Sequence, residues 1–140
     1  MAHFAQLNDS NTVLTINVIA DADCLDGDGN ESEAVGIAFC KSLWGSDTTW
    51  IQTSYNNRIR KQFAVPGGTY DATADEFVSV KPFASWALDS DNDWQAPISK
   101  PSIPDGKTVT WDESAYQADN STGWVLTDRV NGVGLEDTVE

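Results

Sequence analysis

The sequence is short of the residues that reactive chemistry draws on. It has one histidine, His3, two cysteines, Cys24 and Cys40, and a single methionine. A lone histidine near a chain end is poor material for a Ser-His-Asp or Cys-His pair. No paired-cysteine zinc spacing, G-x-G-x-x-G stretch or phosphate loop is present. Carboxylates are plentiful, but an acidic chain supplies pairs of them anywhere, so no glycosidase-like pair stands out. The expectation is a non-enzyme with no catalytic residue and no cofactor. No run approaches the roughly 20 apolar residues of a membrane span. Met1-Ala2-His3 lacks the basic start of a secretory leader, so cytoplasmic synthesis is expected. In that reducing setting the two cysteines read as free thiols, with Cys40 in the core.

Bases are scarce as well. Eight Lys and Arg stand against 22 Asp and Glu, a formal charge of −14 over 140 residues. That field repels nucleic acid and anionic lipid, and favours solubility or a basic partner surface. The length fits one domain able to bury roughly 68 % of its unfolded surface without metal or disulfide. Six tryptophans will carry much of that burial.

What is present is mostly β pattern. "HFAQL" and "TVLTINVIA", joined by the turn formers of "NDSN", predict a hairpin. Leu14, Ile16 and Val18 would share one face, Thr15 and Asn17 the other. "DADCLDGDGN" reads as a loop. One helix is predicted over about residues 31–44, with Asn30 as N-cap, Glu33 at N3 and Gly45 just past the end. Val35, Ile37, Phe39, Cys40, Leu43 and Trp44 fall on one arc of it, with Lys41 opposite. Gly36 lies inside the arc and predicts a close approach to a sheet. "TWIQTSY" and "RKQFAV" predict two strands around a turn at Asn56 and Asn57, closed by "PGG".

The second half repeats a looser theme. Tyr70 and Phe77, Trp86 and Trp94, and Trp111 and Trp124 each bracket an acidic turn. These read as hairpins with the aromatics as cross-strand or near-cross-strand partners, joined by proline segments such as "QAPISKPSIP". The expected fold is therefore α+β: a mostly antiparallel β-sheet with one packed helix over residues 1–80. A proline-linked hairpin extension over 81–127 and a polar tail over 128–140 complete it. Such a ladder has a shallow core and finishes its burial against a partner.

Three kinds of site present themselves. Asp26, Asp28 and Asn30, and again Asp89, Asp91 and Asp93, start like calcium loops. Both fail at the turn glycine, where Glu31 and Trp94 stand, and at the last ligand, where Ile37 and Lys100 stand. The acids are therefore read as turn formers, and no metal is expected. "RIRK" gathers Arg58, Arg60 and Lys61, either to dock an acidic partner or to balance local acids. Trp86, Trp94, Trp111 and Trp124 are the candidate apolar contacts with a partner, and a stacking surface for sugars is the other use of such a ladder.

The ordered blocks "MAHFAQL", "NTVLTINVI", "EAVGIAFCKSLWG", "WIQTSYNNRIRKQFA", "GGTYDATADEFV", "KPFASWALD", "DWQAP" and "VTWDE" carry a resemblance. They are similar to a family of small proteins of marine, especially cyanobacterial, tailed phages. Its members open with Met-Ala-His-Phe, carry Thr-Ser-Tyr-Asn and end with Pro-x-x-Ser-Trp and Trp-x-x-Pro blocks. The likeness covers about residues 1–125 and departs in the polar tail "DRVNGVGLEDTVE". It implies a virion structural protein, supplies no catalytic residues, and points to the major capsid protein or other virion proteins as partners. A decoration or cement protein on the head is the expected role, with possible self-association. A tail or neck accessory, or a carbohydrate-binding module for host attachment, are the alternatives.

Overall fold

Strand β1 (Ala2–Leu7) forms the middle of a three-stranded antiparallel sheet, between β2 (Val13–Ile19) and β3 (Thr49–Thr53). Its burial does not alternate: Ala2, Phe4, Ala5 and Leu7 are all buried. A strand with both faces covered loses the period-two signal. Two cores result, one on each face. Ala2 and Phe4 join Ile19, Cys24, Cys40 and Trp50 on the first. Ala5 and Leu7 join Val13, Ala64 and Phe77 on the second. The computed structural model describes residues 1–129 and shows an α+β, mostly β protein of two units, Met1–Val80 and Lys81 onward.

The expected inward face of β2 needs correction. Leu14 and Val18 are half exposed, at 50 % and 52 %, while Val13 and Ile19 are buried. The register shifts between Gln6 and Leu7, so that Leu7 faces Val13 and Leu14 is the extra residue of a bulge.

Helix α1 (Glu33–Trp44) covers the first core. It starts later than the capping pattern predicts, because Asn30 and Glu31 are used elsewhere. The Asn30 N–H donates to Asp26 Oδ1 at 3.0 Å, and Glu31 bridges to Leu25. Ser32 is the N-cap instead, its Oγ accepting from the Val35 N–H at 3.3 Å. Gly45 ends the helix at φ 124, with its N–H on Lys41 O. The buried arc centres on Gly36 and Cys40, with Ile37 and Phe39 at its flanks, whereas Leu43 and Trp44 are exposed. Lys41 is not idle: its Nζ donates to the carbonyls of Ser46 and Thr48, tying down the chain after the helix.

Gly36 is where helix and sheet touch, as its place in the arc predicted. A Cβ there would lie 2.2 Å from Cζ of the fully buried Phe4 ring. Gly36→Ala should therefore lower stability by about 1–3 kcal/mol through overpacking, although alanine is the better helix former by about 1 kcal/mol. Chemical denaturation of the variant measures the balance, and a stabilised G36A would contradict this packing.

Both cysteines are free and buried in the first core. Burial, with a smaller push from Cys24, raises the Cys40 thiol to about 11. An ordinary thiol titrates near 9.0, so between those values the folded state holds a proton that the unfolded chain releases. Stability should fall as pH rises from about 9 toward about 11. Cys40→Ala should flatten that alkaline decline relative to its own neutral-pH stability, as thermal melts across the range would show.

The second core is closed by the hairpin of β4 (Thr69–Asp71) and β5 (Glu76–Val78). Tyr70 lies opposite Phe77 with ring centroids 5.4 Å apart, the predicted cross-strand pair. The strand predicted at "RKQFAV" does not form. Arg60 and Lys61 take left-handed φ values of 52 and 74, which curl the segment. The Ala64 N–H then reaches Thr53 Oγ1 at 2.8 Å, seating Ala64 in the second core.

From Lys81 onward the elements are small. Strands β6 (Ala87–Leu88) and β7 (Trp94–Gln95) form one two-stranded ribbon, and β8 (Lys107–Trp111) and β9 (Trp124–Asp128) another. Trp111 faces Trp124 in register, as predicted, whereas Trp94 faces Leu88 and not Trp86. The segment read as a long acidic turn contains a short helix, α2 (Glu113–Ala118), capped by Asp112 Oδ1 on the Ala115 N–H at 3.0 Å. Asp128 still belongs to β9, opposite Lys107. The remainder of the expected tail, from residue 130, lies outside the described residues.

Candidate functional site

The three bases of "RIRK" go different ways. Arg60 turns inward, its side chain 16 % exposed. Its Nη1 and Nη2 bind the two oxygens of Glu33 at 3.0 and 3.1 Å, a two-pronged pair that suits a planar guanidinium. Nε donates to Asp75 Oδ1 at 2.7 Å, and Nη1 also donates to Gln52 O at 2.9 Å. One side chain thus joins the start of α1, the strand β3 and the turn between β4 and β5. Burial alone would lower the Arg60 pKa, but the bonds it donates to Asp75 and Glu33 outweigh that and hold it above its ordinary value. Asp75 is held below the usual carboxylate range by its bonds from Tyr70 Oη and Arg60. Arg60 is thus a poor member of the expected docking set, because most of its donors are used inside the fold. Arg58 remains exposed, beside a cavity, and Lys61 is half-buried.

The tryptophans also divide. Trp86, Trp111 and Trp124 pack on one another, with centroids 5.1–6.0 Å apart. Phe83 lies against Trp86, and Tyr116 of α2 against Trp111. Edge-to-face aromatic clusters of this kind are a core in themselves. Gly123 makes room for it, since a Cβ there would meet the Trp111 ring at 2.4 Å. The expected partial cover holds for Trp86 and Trp124, which are half-buried, whereas Trp111 is buried by the other rings. Glu113 anchors the group, accepting from Trp111 Nε1 at 2.9 Å and from Ser85 Oγ at 2.7 Å. Those bonds, Trp111 first, hold its carboxyl below the usual range. Trp94 stands apart, with Lys81 Nζ 6.0 Å from its ring centroid.

Trp124 Nε1 donates to Ile98 O at 2.8 Å, whereas Trp86 Nε1 is buried with no hydrogen-bond partner among the described residues. An orphaned buried donor costs about 1–3 kcal/mol. Trp86→Phe removes the orphan and should be close to neutral, while Trp124→Phe strands the Ile98 carbonyl and should be the more destabilising of the two. Denaturant melts of both variants decide the order, and a more costly W86F contradicts it.

The aspartates make turns. Asp26 Oδ1 accepts from the N–H groups of Asp28 and Asn30 at 2.9 and 3.0 Å. Asp89 Oδ1 does the same for Asp91 and Asp93 at 2.8 and 3.0 Å. Among the described residues no group of three or more His, Cys, Asp or Glu gathers as metal ligands would.

Two cavities adjoin these basic and aromatic residues. One, of about 410 Å³ in the first unit, is lined by His3, Asp21, Glu31, Gln52, Tyr55 and Arg58 among others. His3 stacks on the exposed Tyr55 ring beside it, centroids 5.8 Å apart. The other, of about 460 Å³ in the second unit, is lined by Trp86, Trp124, Gln95, Ser99 and Lys100 with the apolar Ala96 and Ile98. Sequence reasoning picked out Trp86, Trp124 and Arg58 but not the histidine–tyrosine stack, whose members are far apart in the chain.

Compared with known proteins, the chain matches no family, no curated protein and no solved structure.

Proposed function

We propose that this chain is a structural protein of a tailed-phage particle, attached to the head as a decoration or cement protein. Its partners are then the major capsid protein or other virion proteins, and its site of action is the virion. The observation that supports this best is the apolar surface on both units. The first presents Leu14, Val18, Leu43 and Trp44, and the second Leu88, Ile103, Val125 and Leu126, each at least 37 % exposed. Apolar side chains left outside a strongly acidic chain suit a protein that completes its burial on a partner. The resemblance of the sequence blocks to small marine-phage proteins supplies the kind of partner. Quantitative mass spectrometry of purified virions tests it. On the order of hundreds of copies per particle places the protein on the head lattice, and a few copies place it on the cyclically symmetric tail or neck. Its absence from purified particles refutes both.

A second reading, a carbohydrate-binding module for host attachment, is favoured by the Trp86–Trp124 cavity. Indole faces beside Gln95, Ser99 and Lys100 offer stacking with hydrogen bonds at the rim. Glycan-array binding by the purified protein, lost in Lys100→Ala and Gln95→Ala, is the outcome that would favour it.

A further inference from the structure

The three-stranded sheet has two outer edges, and they are treated differently. On β3, Gln52 points both backbone groups away from β1. Its N–H donates to Glu33 Oε2 at 2.8 Å, and its C=O accepts from Arg60 Nη1 at 2.9 Å. The Glu33–Arg60 pair thus occupies the place of a neighbouring strand, one acceptor and one donor side by side, and blocks that edge.

The same observation sets the direction of every bond in the sheet. If Gln52 points outward, its register partner Phe4 is in a pair that exchanges no bonds with it. The bonded pairs between β1 and β3 are then His3–Thr53, Ala5–Ile51 and Leu7–Thr49. Ala2, Phe4 and Gln6 therefore point toward β2, where they meet Ile19, Asn17 and Thr15. By alternation Ile16 and Val18 point their N–H and C=O out of the sheet. Just before the bulge the outer edge is occupied: Val13 exchanges bonds with Gly67 and Gly68 at 2.9 and 2.8 Å, and Asn11 O accepts from Tyr70 N. Among the described residues Ile16 and Val18 have no such neighbour.

We propose that the stretch Leu14–Val18 is a strand-addition site for one extended segment of a partner protein, flanked by Lys or Arg. Leu-Thr-Ile-Asn-Val is an uncharged run with strong β preference. Its two ends are acidic, with Asp9 before it and Asp21 and Asp23 after it. Backbone pairing would supply the affinity, and half-exposed Leu14 and Val18 the apolar contacts. The charge of −14 disfavours a second copy and favours a basic segment. In the particle reading that segment belongs to a neighbouring virion protein, and only this attribution rests on that reading.

The test uses the purified chain and the peptide Lys-Thr-Val-Thr-Val-Thr-Lys, with a second peptide bearing Glu at both ends. Amide exchange of Ile16 and Val18 is followed by NMR, with Gln52 as internal reference. The basic peptide should slow exchange at Ile16 and Val18 by about tenfold or more and leave Gln52 unchanged. The acidic peptide should have a much smaller effect. Val18→Pro removes an outward donor without touching the bonds to β1, and should abolish the protection. Should V18P not fold, Val18→Lys sets a charge on the edge and should abolish it as well. Unchanged exchange with the basic peptide overturns the proposal, as does a chain that dimerises alone with these amides protected. Either result leaves the copy number in virions to be judged separately.

Discussion

Trp111→Ala is expected to unfold the second unit while the first keeps its fold. Trp111 is the one buried member of the tryptophan cluster and touches Trp86, Trp124 and Tyr116. Truncating a buried tryptophan costs about 3–5 kcal/mol. A unit of this size, built on two short ribbons and one short helix, has little stability in reserve. The loss also releases Glu113, whose bond to the Trp111 indole disappears. NMR of the labelled variant should show collapsed dispersion for residues from Lys81 onward and retained dispersion for Met1–Val80. A W111A spectrum with both sets dispersed would mean that the cluster is not the core of its unit.

Arg60→Ala should be nearly as damaging in the first unit. It leaves Glu33, Asp75 and the Gln52 carbonyl without their shared donor. Breaking fully buried ion pairs costs about 3–5 kcal/mol, and the partial exposure of Glu33 and Asp75 reduces this to about 2–3 kcal/mol. Arg60→Lys should recover only part of it, since an ammonium cannot span both Glu33 oxygens and reach Asp75. The loss has a pH signature. The Asp75 carboxyl is held below its ordinary value, so its contribution is present above about pH 4 and is lost as pH falls through the depressed folded value. The bond from Tyr70, first among the causes of that depression, survives in R60A and the Arg60 share is lost, so R60A should decline only somewhat less steeply in acid than the wild type. It also strips the block from the β3 edge, so amide exchange at Gln52 should speed up. An R60A of wild-type stability with unchanged Gln52 exchange would contradict this account of the arginine.

Much of this architecture was legible in the sequence where one local rule acted alone. Tyr70 with Phe77 and Trp111 with Trp124 are register partners because an aromatic on each side of a polar turn has little else to face. Asp26 and Asp89 bond the N–H groups two and four residues on, as turn-forming aspartates do. Gly36 marked the contact between helix and sheet.

The rest was decided by distant partners. "RKQFAV" has the composition of a strand, but Arg60 is held by Glu33, 27 residues earlier, and by Asp75, 15 residues later. Nothing local announces either. Leu14 and Val18 look like core residues until both faces of β1 are known to be covered and a bulge is placed opposite Gln6 and Leu7. Trp86 seemed a mate for Trp94 by spacing, yet it is drawn to Trp111 and Trp124, and Leu88 takes its place in the ribbon. The partner-binding set narrows accordingly. Arg58, Lys61 and Trp94 stay in the proposed set, Arg60 and the three clustered tryptophans also build the fold, and Leu14, Val18, Leu43 and Trp44 join the proposal from the exposed surface.

The central claim is that this acidic chain completes its burial on a phage particle. Hydrogen exchange of the free protein against the same protein on intact virions tests it most directly. The account predicts added protection on the particle at Leu14–Val18 and around Leu88, Val125 and Leu126, with the interior of β1 protected equally in both states. Identical protection in the free and particle-bound protein at all of these positions would contradict it.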